Sequence, residues 1–305
     1  MTTLVFGHKN PDTDSITSTL VMTDLQTKLG MDVKACRLGE LNKETQYILN
    51  YFSVEAPELI DGVTEADEVI LVDHNEFNQS ADGIEKATIK MVVDHHRIAN
   101  FQTSEPLFYR AEPVGCTGTI LYKMYKENGV EIEPKMAGLM ASAIISDSLL
   151  FKSPTCTPQD EKACRELAAI ASLDVETYGL EMLKAGTDLS DLTAGQLLGI
   201  DAKVFPMGAS TVEIAQINVV SIEDMMTRKA ELEAEMQSII DEKGLNLFVA
   251  VITDILNSNS QLIALGERTD IVEKAFNVEL TENTTLLEGV VSRKKQIVPV
   301  MDRIA

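Results

Sequence analysis

Met91-Val92-Val93-Asp94-His95-His96-Arg97, read MVVDHHR, closes a hydrophobic run with an aspartate and two adjacent histidines. The chain has only four histidines, so this pairing asks for a reason. His74 stands in Val72-Asp73-His74-Asn75-Glu76, just past a second hydrophobic run, and His8 in Phe6-Gly7-His8-Lys9-Asn10-Pro11-Asp12-Thr13-Asp14, just past a third. Each histidine therefore sits at the C-terminal end of an expected strand, close to an aspartate.

Outward from these ends, the first half alternates β and α. Strands are expected at 3–7, 33–38, 68–73 and 89–94, with helices at 14–29, stopped by Gly30, and 41–52. Short β-rich runs separated by helices predict an α/β domain with a parallel sheet and helices on both faces. Ligands in such sheets sit at the C-terminal strand ends. Helices follow at about 117–128, 135–151, 158–172 and 174–185. Lys184-Ala185-Gly186-Thr187-Asp188 reads as a linker. The expected domains are 1–188 and 189–305, the second a smaller α/β unit. Its strands are expected near 200–206, 211–220, 246–254 and 261–265, with a long helix 222–243 and a final strand pair around 289–300.

Twenty-six Lys and Arg stand against 48 Asp and Glu, a net charge of -22. A chain so acidic disfavours nucleic-acid backbones, whose binding rests on basic residues neutralising phosphates, and anionic membranes. No apolar run reaches the length of a membrane span. The start, MTTLVFGHKN, lacks a basic leader region, so no secretory signal is expected. Cys36, Cys116, Cys156 and Cys164 form no CxxC pair, which suits reduced thiols in a cytoplasm.

Pro11 turns the loop after the first strand, so His8, Asp12 and Asp14 can converge above it. One of these aspartates could simply cap the next helix, but a cap explains neither the second carboxylate nor the histidine. Asp147 lies in the apolar helix ASAIISDSLLF, where a carboxylate is costly unless it is paired or binds a metal. His8, Asp12, Asp14, Asp73, His95 and Asp147 together suit two divalent cations, with Asp73 as the natural bridge. Such pairs clamp the attacking and leaving oxygens in phosphoryl transfer, and mixed His/carboxylate donors favour Mn²⁺, Co²⁺ or Zn²⁺. Late in the chain, Ser292-Arg293-Lys294-Lys295-Gln296 places three cations in an apolar context. That is either a solvated hairpin tip or an anion clamp in which Arg grips phosphate oxygens bidentately. Lys203 alone is a weak signal.

MVVDHHR resembles the signature of the DHH phosphoesterase superfamily. HKNPDTDS, VDHNE, the Asp147 helix and SRKKQ together resemble the manganese-dependent, family II inorganic pyrophosphatases, over nearly the whole chain and in order. The resemblance implies one metal held by His8, Asp12 and Asp73 and another by Asp14, Asp73, His95 and Asp147. It implies substrate and catalytic contacts from His96, Lys203, Arg293 and Lys294, in an active site in the cleft between the domains. Asp94 then reads as an orienting carboxylate beside the ligand His95. The implied reaction is hydrolysis of pyrophosphate to two orthophosphates by a metal-activated bridging water or hydroxide. The implied setting is a cytoplasmic homodimer joined through its N-terminal domains, with two Mn²⁺ per subunit, Co²⁺ as a substitute, and Mg²⁺ arriving with the substrate. Some members carry inserted regulatory CBS-type domains; the uninterrupted middle of this chain has no room for them.

Two rivals share the scaffold. The first is a superfamily exonuclease, oligonucleotide phosphodiesterase or exopolyphosphatase; many superfamily nucleases carry a glycine-rich GGGH-type motif in the second domain, whereas no histidine follows His96 here, and the net charge of -22 disfavours a polymer track. A non-catalytic metal-binding protein is disfavoured by the full ligand set.

Overall fold

The computed structural model describes residues 2–304, which divide into two compact units between Gly186 and Thr187. The boundary falls two residues before the expected one. In the first unit the order is β1 (Thr3–Phe6), α1 (Thr13–Lys28), β2 (Val33–Arg37), α2 (Lys43–Phe52), β3 (Glu58–Leu59), β4 (Glu68–Val72), β5 (Thr88–Asp94), β6 (Phe108–Ala111), α3 (Thr117–Glu127), α4 (Pro134–Ser148), α5 (Pro158–Ala171) and α6 (Val175–Gly186). The six strands form one parallel sheet in the order β3-β2-β1-β4-β5-β6. β3 and β6 escape the sequence reading because they are short edge strands with little buried apolar content. In β1, Val5 and Phe6 are fully buried, as are Ile70, Leu71 and Val72 in β4 and Val92 and Val93 in β5. Strands covered on both faces are continuously apolar rather than alternating.

The sheet is built outward in two directions from its middle, β1 to β3 one way and β4 to β6 the other. Between β1 and β4 the connections leave for opposite sides. That opens a crevice at the strand ends, where ligands bind in folds of this kind.

The second unit runs α7 (Ala194–Gly199), β7 (Ala202–Met207), β8 (Ser210–Val219), α8 (Ile222–Met226), α9 (Lys229–Lys243), β9 (Leu247–Asp254), β10 (Asn259–Gly266), α10 (Asp270–Phe276), β11 (Thr284–Glu288) and α11 (Val298–Asp302). Its five-stranded mixed sheet has the order β11-β10-β9-β8-β7, with only β8 and β9 parallel. All eight residues of the central β9 are buried, between one apolar cluster that includes Leu232, Met236 and Phe248 and another that includes Val249, Leu262 and Met301.

Lys203 lies within β7, inside the strand expected near 200–206. Two expectations for this unit are corrected. The long helix breaks at Thr227–Arg228, where the Arg228 guanidinium turns aside to donate to Leu189 O (3.2 Å) and Leu192 O (2.8 Å). The strand pair at 289–300 does not form: Arg293–Ile297 is a single π-helical turn leading into α11. Gln296 Oε1 accepts from the N–H groups of Val291 (3.0 Å) and Ser292 (3.1 Å), taking donors that a strand would give to a neighbour. Pro299 then suits the first turn of a helix and not a ladder.

Candidate metal centre

Gly7 sets the approach of α1 to β1. A Cβ there would fall 2.0 Å from Ser15 Oγ, so only glycine lets the helix start this close to the strand end. Asp12 is the N-cap of α1. Its Oδ1 accepts from Ser15 N at 3.0 Å, while its Oδ2 lies 3.5 Å from His8 Nε2. The capping role and the site role are thus both real and use different oxygens. Asp14, in the first turn of α1, is 1% exposed. Its carboxylate accepts from Ser18 Oγ (2.6 Å) and from the Thr117 and Gly118 N–H groups (2.6 and 3.3 Å), at the N-terminus of α3.

Asp73 follows β4 with φ +60°, a left-handed backbone that is unfavourable for a residue with a Cβ. Strain of this kind persists where surrounding contacts over-determine it and clusters at functional sites. Here it accompanies a side chain placed between two imidazoles: Oδ2 is 3.4 Å from His8 Nε2 and Oδ1 is 3.3 Å from His95 Nε2. Thr117 Oγ1 donates to Oδ1 at 3.1 Å. Asp147, near the end of α4, reaches to 4.0 Å from His95 Nε2. Directly after α4, Leu149, Leu150 and Phe151 are all left-handed, a sharp exit that turns the chain away beyond this carboxylate.

Both imidazoles are held from behind. His8 Nδ1 lies 2.9 Å from Lys9 O, and His95 Nδ1 3.1 Å from Val114 O. A backbone carbonyl on Nδ1 leaves Nε2 as the free lone pair of the neutral ring, the arrangement that metal-binding histidines use. Metal–ligand bonds of about 2.0–2.2 Å place neighbouring ligand atoms about 3–3.5 Å apart. The spacings of His8 and His95 to Asp12 and Asp73 match that geometry and are too long for strong hydrogen bonds.

The electrostatics call for cations. Burial opposes protonation of both His8 and His95, yet Asp12 and Asp73 push His8 up to about 11, and Asp73 and Asp14 push His95 up to about 9. Burial, then the charge of Asp73, pushes Asp14 up to about 7. Burial, then Asp14 and Asp73, pushes Asp147 well above the carboxylate range. Asp73 moves the other way: although it is buried, its bonds to His8 and His95 hold it below the usual range. Four carboxylates crowd two imidazoles, and protons stand in for missing positive charge. The donor set suits divalent cations: the ligand atoms of His8, Asp12 and Asp73 lie close together, as do those of Asp73, His95 and His96, and those of Asp14, Cys116 and Asp147. A cavity of about 340 Å³ opens over the cluster, lined by Asp12, Asp73, His95, His96, Val114, Gly115, Asp147 and Thr155.

The remaining histidines divide. His96 is half exposed, and Asp94 Oδ1 holds both its Nδ1 (2.9 Å) and its backbone N–H (3.0 Å). Asp94, also bonded by Asn75 Nδ2 at 2.6 Å, thus orients His96 and not His95. His74 is structural. Its ring nitrogens meet Val72 O (2.9 Å) and Ser80 Oγ (3.0 Å), and burial pushes its pKa down to about 4. Thr117, Asn75 and the Val114 carbonyl were not legible in the sequence. They act through contacts between segments far apart in the chain, and residues of these types are too common to signal it.

In the second unit, Lys203 and Lys294 are exposed, whereas Arg293 is buried. The Arg293 guanidinium donates to Asp201 Oδ1 (2.7 Å), Ile214 O (3.1 Å) and Asp201 O. Ile214 is the register partner of Lys203, so the arginine is anchored beside that lysine's strand.

Two matches define the class. Residues 2–144 match the DHH family, N-terminal domain, and residues 180–304 match the DHHA2 domain. A protein of Exiguobacterium sp. assigned as a manganese-dependent inorganic pyrophosphatase is 62% identical over 305 residues, covering 100% of this chain and 99% of its own. One of the same assignment from Brevibacillus brevis is 62% identical over 299 residues, covering 98% and 96%. A solved Methanococcus jannaschii structure, assigned to family II of the inorganic pyrophosphatases, is 38% identical with a TM-score of 0.62, covering 100% and 99%. The chain belongs to the family of manganese-dependent, family II inorganic pyrophosphatases.

Proposed function

We propose that the chain is a manganese-dependent hydrolase that splits pyrophosphate into two orthophosphates. The observation that carries this reading is Asp73, whose two oxygens face two differently held imidazoles. His8, Asp12 and Asp73 would hold one Mn²⁺, and Asp14, Asp73, His95 and Asp147 the other, with Co²⁺ able to substitute. Bound there, the cations supply Lewis-acid charge that lowers the pKa of water and neutralises phosphate oxygens. His8 and His95 offer Nε2 with the ring angle set by the Lys9 and Val114 carbonyls. Asp94 holds Nδ1 of the half-exposed His96 ring and raises its pKa through that hydrogen bond, and the ring is the proposed contact to a phosphate oxygen. Lys203, Arg293 and Lys294 are the proposed anion contacts of the second domain. Three of the five Arg293 N–H groups are engaged in the bonds described above.

The reading includes substrate arriving with Mg²⁺, a homodimer joined through the first domain, a cytoplasmic location, and no nucleic-acid or membrane partner. Among the described residues, no helix is long and apolar enough to cross a membrane. The test is phosphate release from pyrophosphate, polyphosphate and a short oligonucleotide, each with Mn²⁺ and with Mg²⁺. Release from pyrophosphate with Mn²⁺ is expected. Preferential cleavage of either polymer would overturn the substrate assignment.

A further inference from the structure

Glu44 stands in the first turn of α2, which Asn42 caps by accepting from Thr45 N at 2.7 Å. It belongs to none of the ligand groups, yet it meets the neighbours of three ligands. Its Oε1 accepts from Thr13 Oγ1 at 2.6 Å and from Ser146 Oγ at 2.5 Å. Thr13 lies between Asp12 and Asp14, and Ser146 precedes Asp147. The Thr13 hydroxyl is also 3.2 Å from that of Thr45, so the contact is tied to α2 at two points.

We propose that Glu44 is a positioning residue for the metal cluster, one carboxylate oxygen clipping the ligand loop at the start of α1 to the ligand-bearing end of α4. The inference rests on the metal reading above. Asp14 and Asp147 come from segments 133 positions apart in sequence, and Glu44 bonds the residue next to each of them. A single acceptor with two lone pairs holds the hydroxyls flanking both. Partners that orient metal ligands from behind typically contribute about 10–100-fold in metal affinity or activity.

The geometry requires an acceptor oxygen at this position, not a charge, and this separates the clip from a general stabilising effect. Mn²⁺ titration of the full chain by calorimetry, with far-UV circular dichroism and metal-free melting as controls of folding, tests it. Glu44→Ala is expected to bind Mn²⁺ about 10–100-fold more weakly. Glu44→Gln, which keeps Oε1, is expected to bind close to wild type. Ser146→Ala, which removes one arm, is expected to lie between wild type and Glu44→Ala. If Glu44→Ala fails to fold, the Gln and Ser146→Ala chains carry the test. Wild-type affinity in Glu44→Ala or Ser146→Ala, or a loss in Glu44→Gln as large as that in Glu44→Ala, would overturn the clip. A wild-type chain that bound no Mn²⁺ would overturn the metal reading, and the clip with it.

Discussion

Asp73 Oδ1 lies 3.3 Å from His95 Nε2, while the other oxygen of the same carboxylate turns to His8. A carboxylate divided in this way cannot serve one cation without also shaping the site of the other, so the two sites should load and empty together. Exhaustive chelation is expected to abolish pyrophosphate hydrolysis, and Mn²⁺ or Co²⁺ to restore it where Mg²⁺ alone does not, because imidazole donors favour the former ions. Elemental analysis alongside the rate measurement checks this. Full activity in Mg²⁺ with no transition metal bound would remove His8 and His95 from the ligand set.

Metal binding should release protons. Without metal, Asp12 and Asp73 push His8 up to about 11, Asp73 and Asp14 push His95 up to about 9, and burial with the charge of Asp73 pushes Asp14 up to about 7. All three hold protons below pH 7, and ligands must be deprotonated to coordinate. Affinity for Mn²⁺ is therefore expected to rise with pH, and to fall most steeply below 7 as Asp14 joins the two histidines. Each proton displaced changes the affinity about tenfold per pH unit. Calorimetry in buffers of different ionisation enthalpy counts the protons; a pH-independent affinity between pH 6 and 8 would contradict the assignment.

Asp147→Asn separates function from stability. Burial and the charges of Asp14 and Asp73 raise the pKa of Asp147, so its ionised form costs stability in the metal-free protein as pH rises above the ordinary carboxylate pKa. The amide carries no such cost. The metal-free variant should melt at the same temperature as wild type or higher, while Mn²⁺ affinity falls by at least about 100-fold, the upper end of what loss of an outer partner costs. Unchanged stoichiometry and rate would return Asp147 to a structural role.

Arg293→Ala in the full chain should leave Mn²⁺ binding intact, since every proposed ligand precedes residue 150. Its kcat is expected to fall by about 10²–10³, as for loss of a positioned donor at developing charge. Because the side chain also anchors to Asp201 and Ile214, melting should be measured in parallel. Normal kinetics with lowered stability would make the arginine a structural residue.

Asp160 is fully buried and its carboxylate accepts from Gly115 N (2.9 Å), Thr119 Oγ1 (2.6 Å), Thr157 N (2.7 Å) and Thr157 Oγ1 (2.6 Å). Asp160→Ala would strand these donors and is expected to destabilise the chain by on the order of 3 kcal/mol, given the value of hydrogen bonds to a charged group. Urea denaturation measures it; a change below about 1 kcal/mol, the size of one ordinary hydrogen bond, would mean that water replaces the carboxylate.

Much of the first domain was legible because its central strands are buried on both faces and read as continuous apolar runs, each ending in polar residues that the parallel topology brings to one edge. Hence β1, β4 and β5 announced themselves, and with them His8, Asp73 and His95. Asp147 was legible for the opposite reason, a charge where the surrounding helix is apolar. The tertiary structure alone decided the rest. His74 and His95 each follow a strand-end aspartate, yet one is sealed between Val72 O and Ser80 Oγ, while the other is turned by Val114 toward Asp73. Asp94 serves His96, not its immediate neighbour. The SRKKQ segment is helical because Gln296 takes the N–H groups that a strand needs, and Arg293 is buried on Asp201, 92 residues away. Local pattern reports burial and backbone preference. Which partner a polar group takes depends on segments that only the completed fold brings within hydrogen-bonding reach.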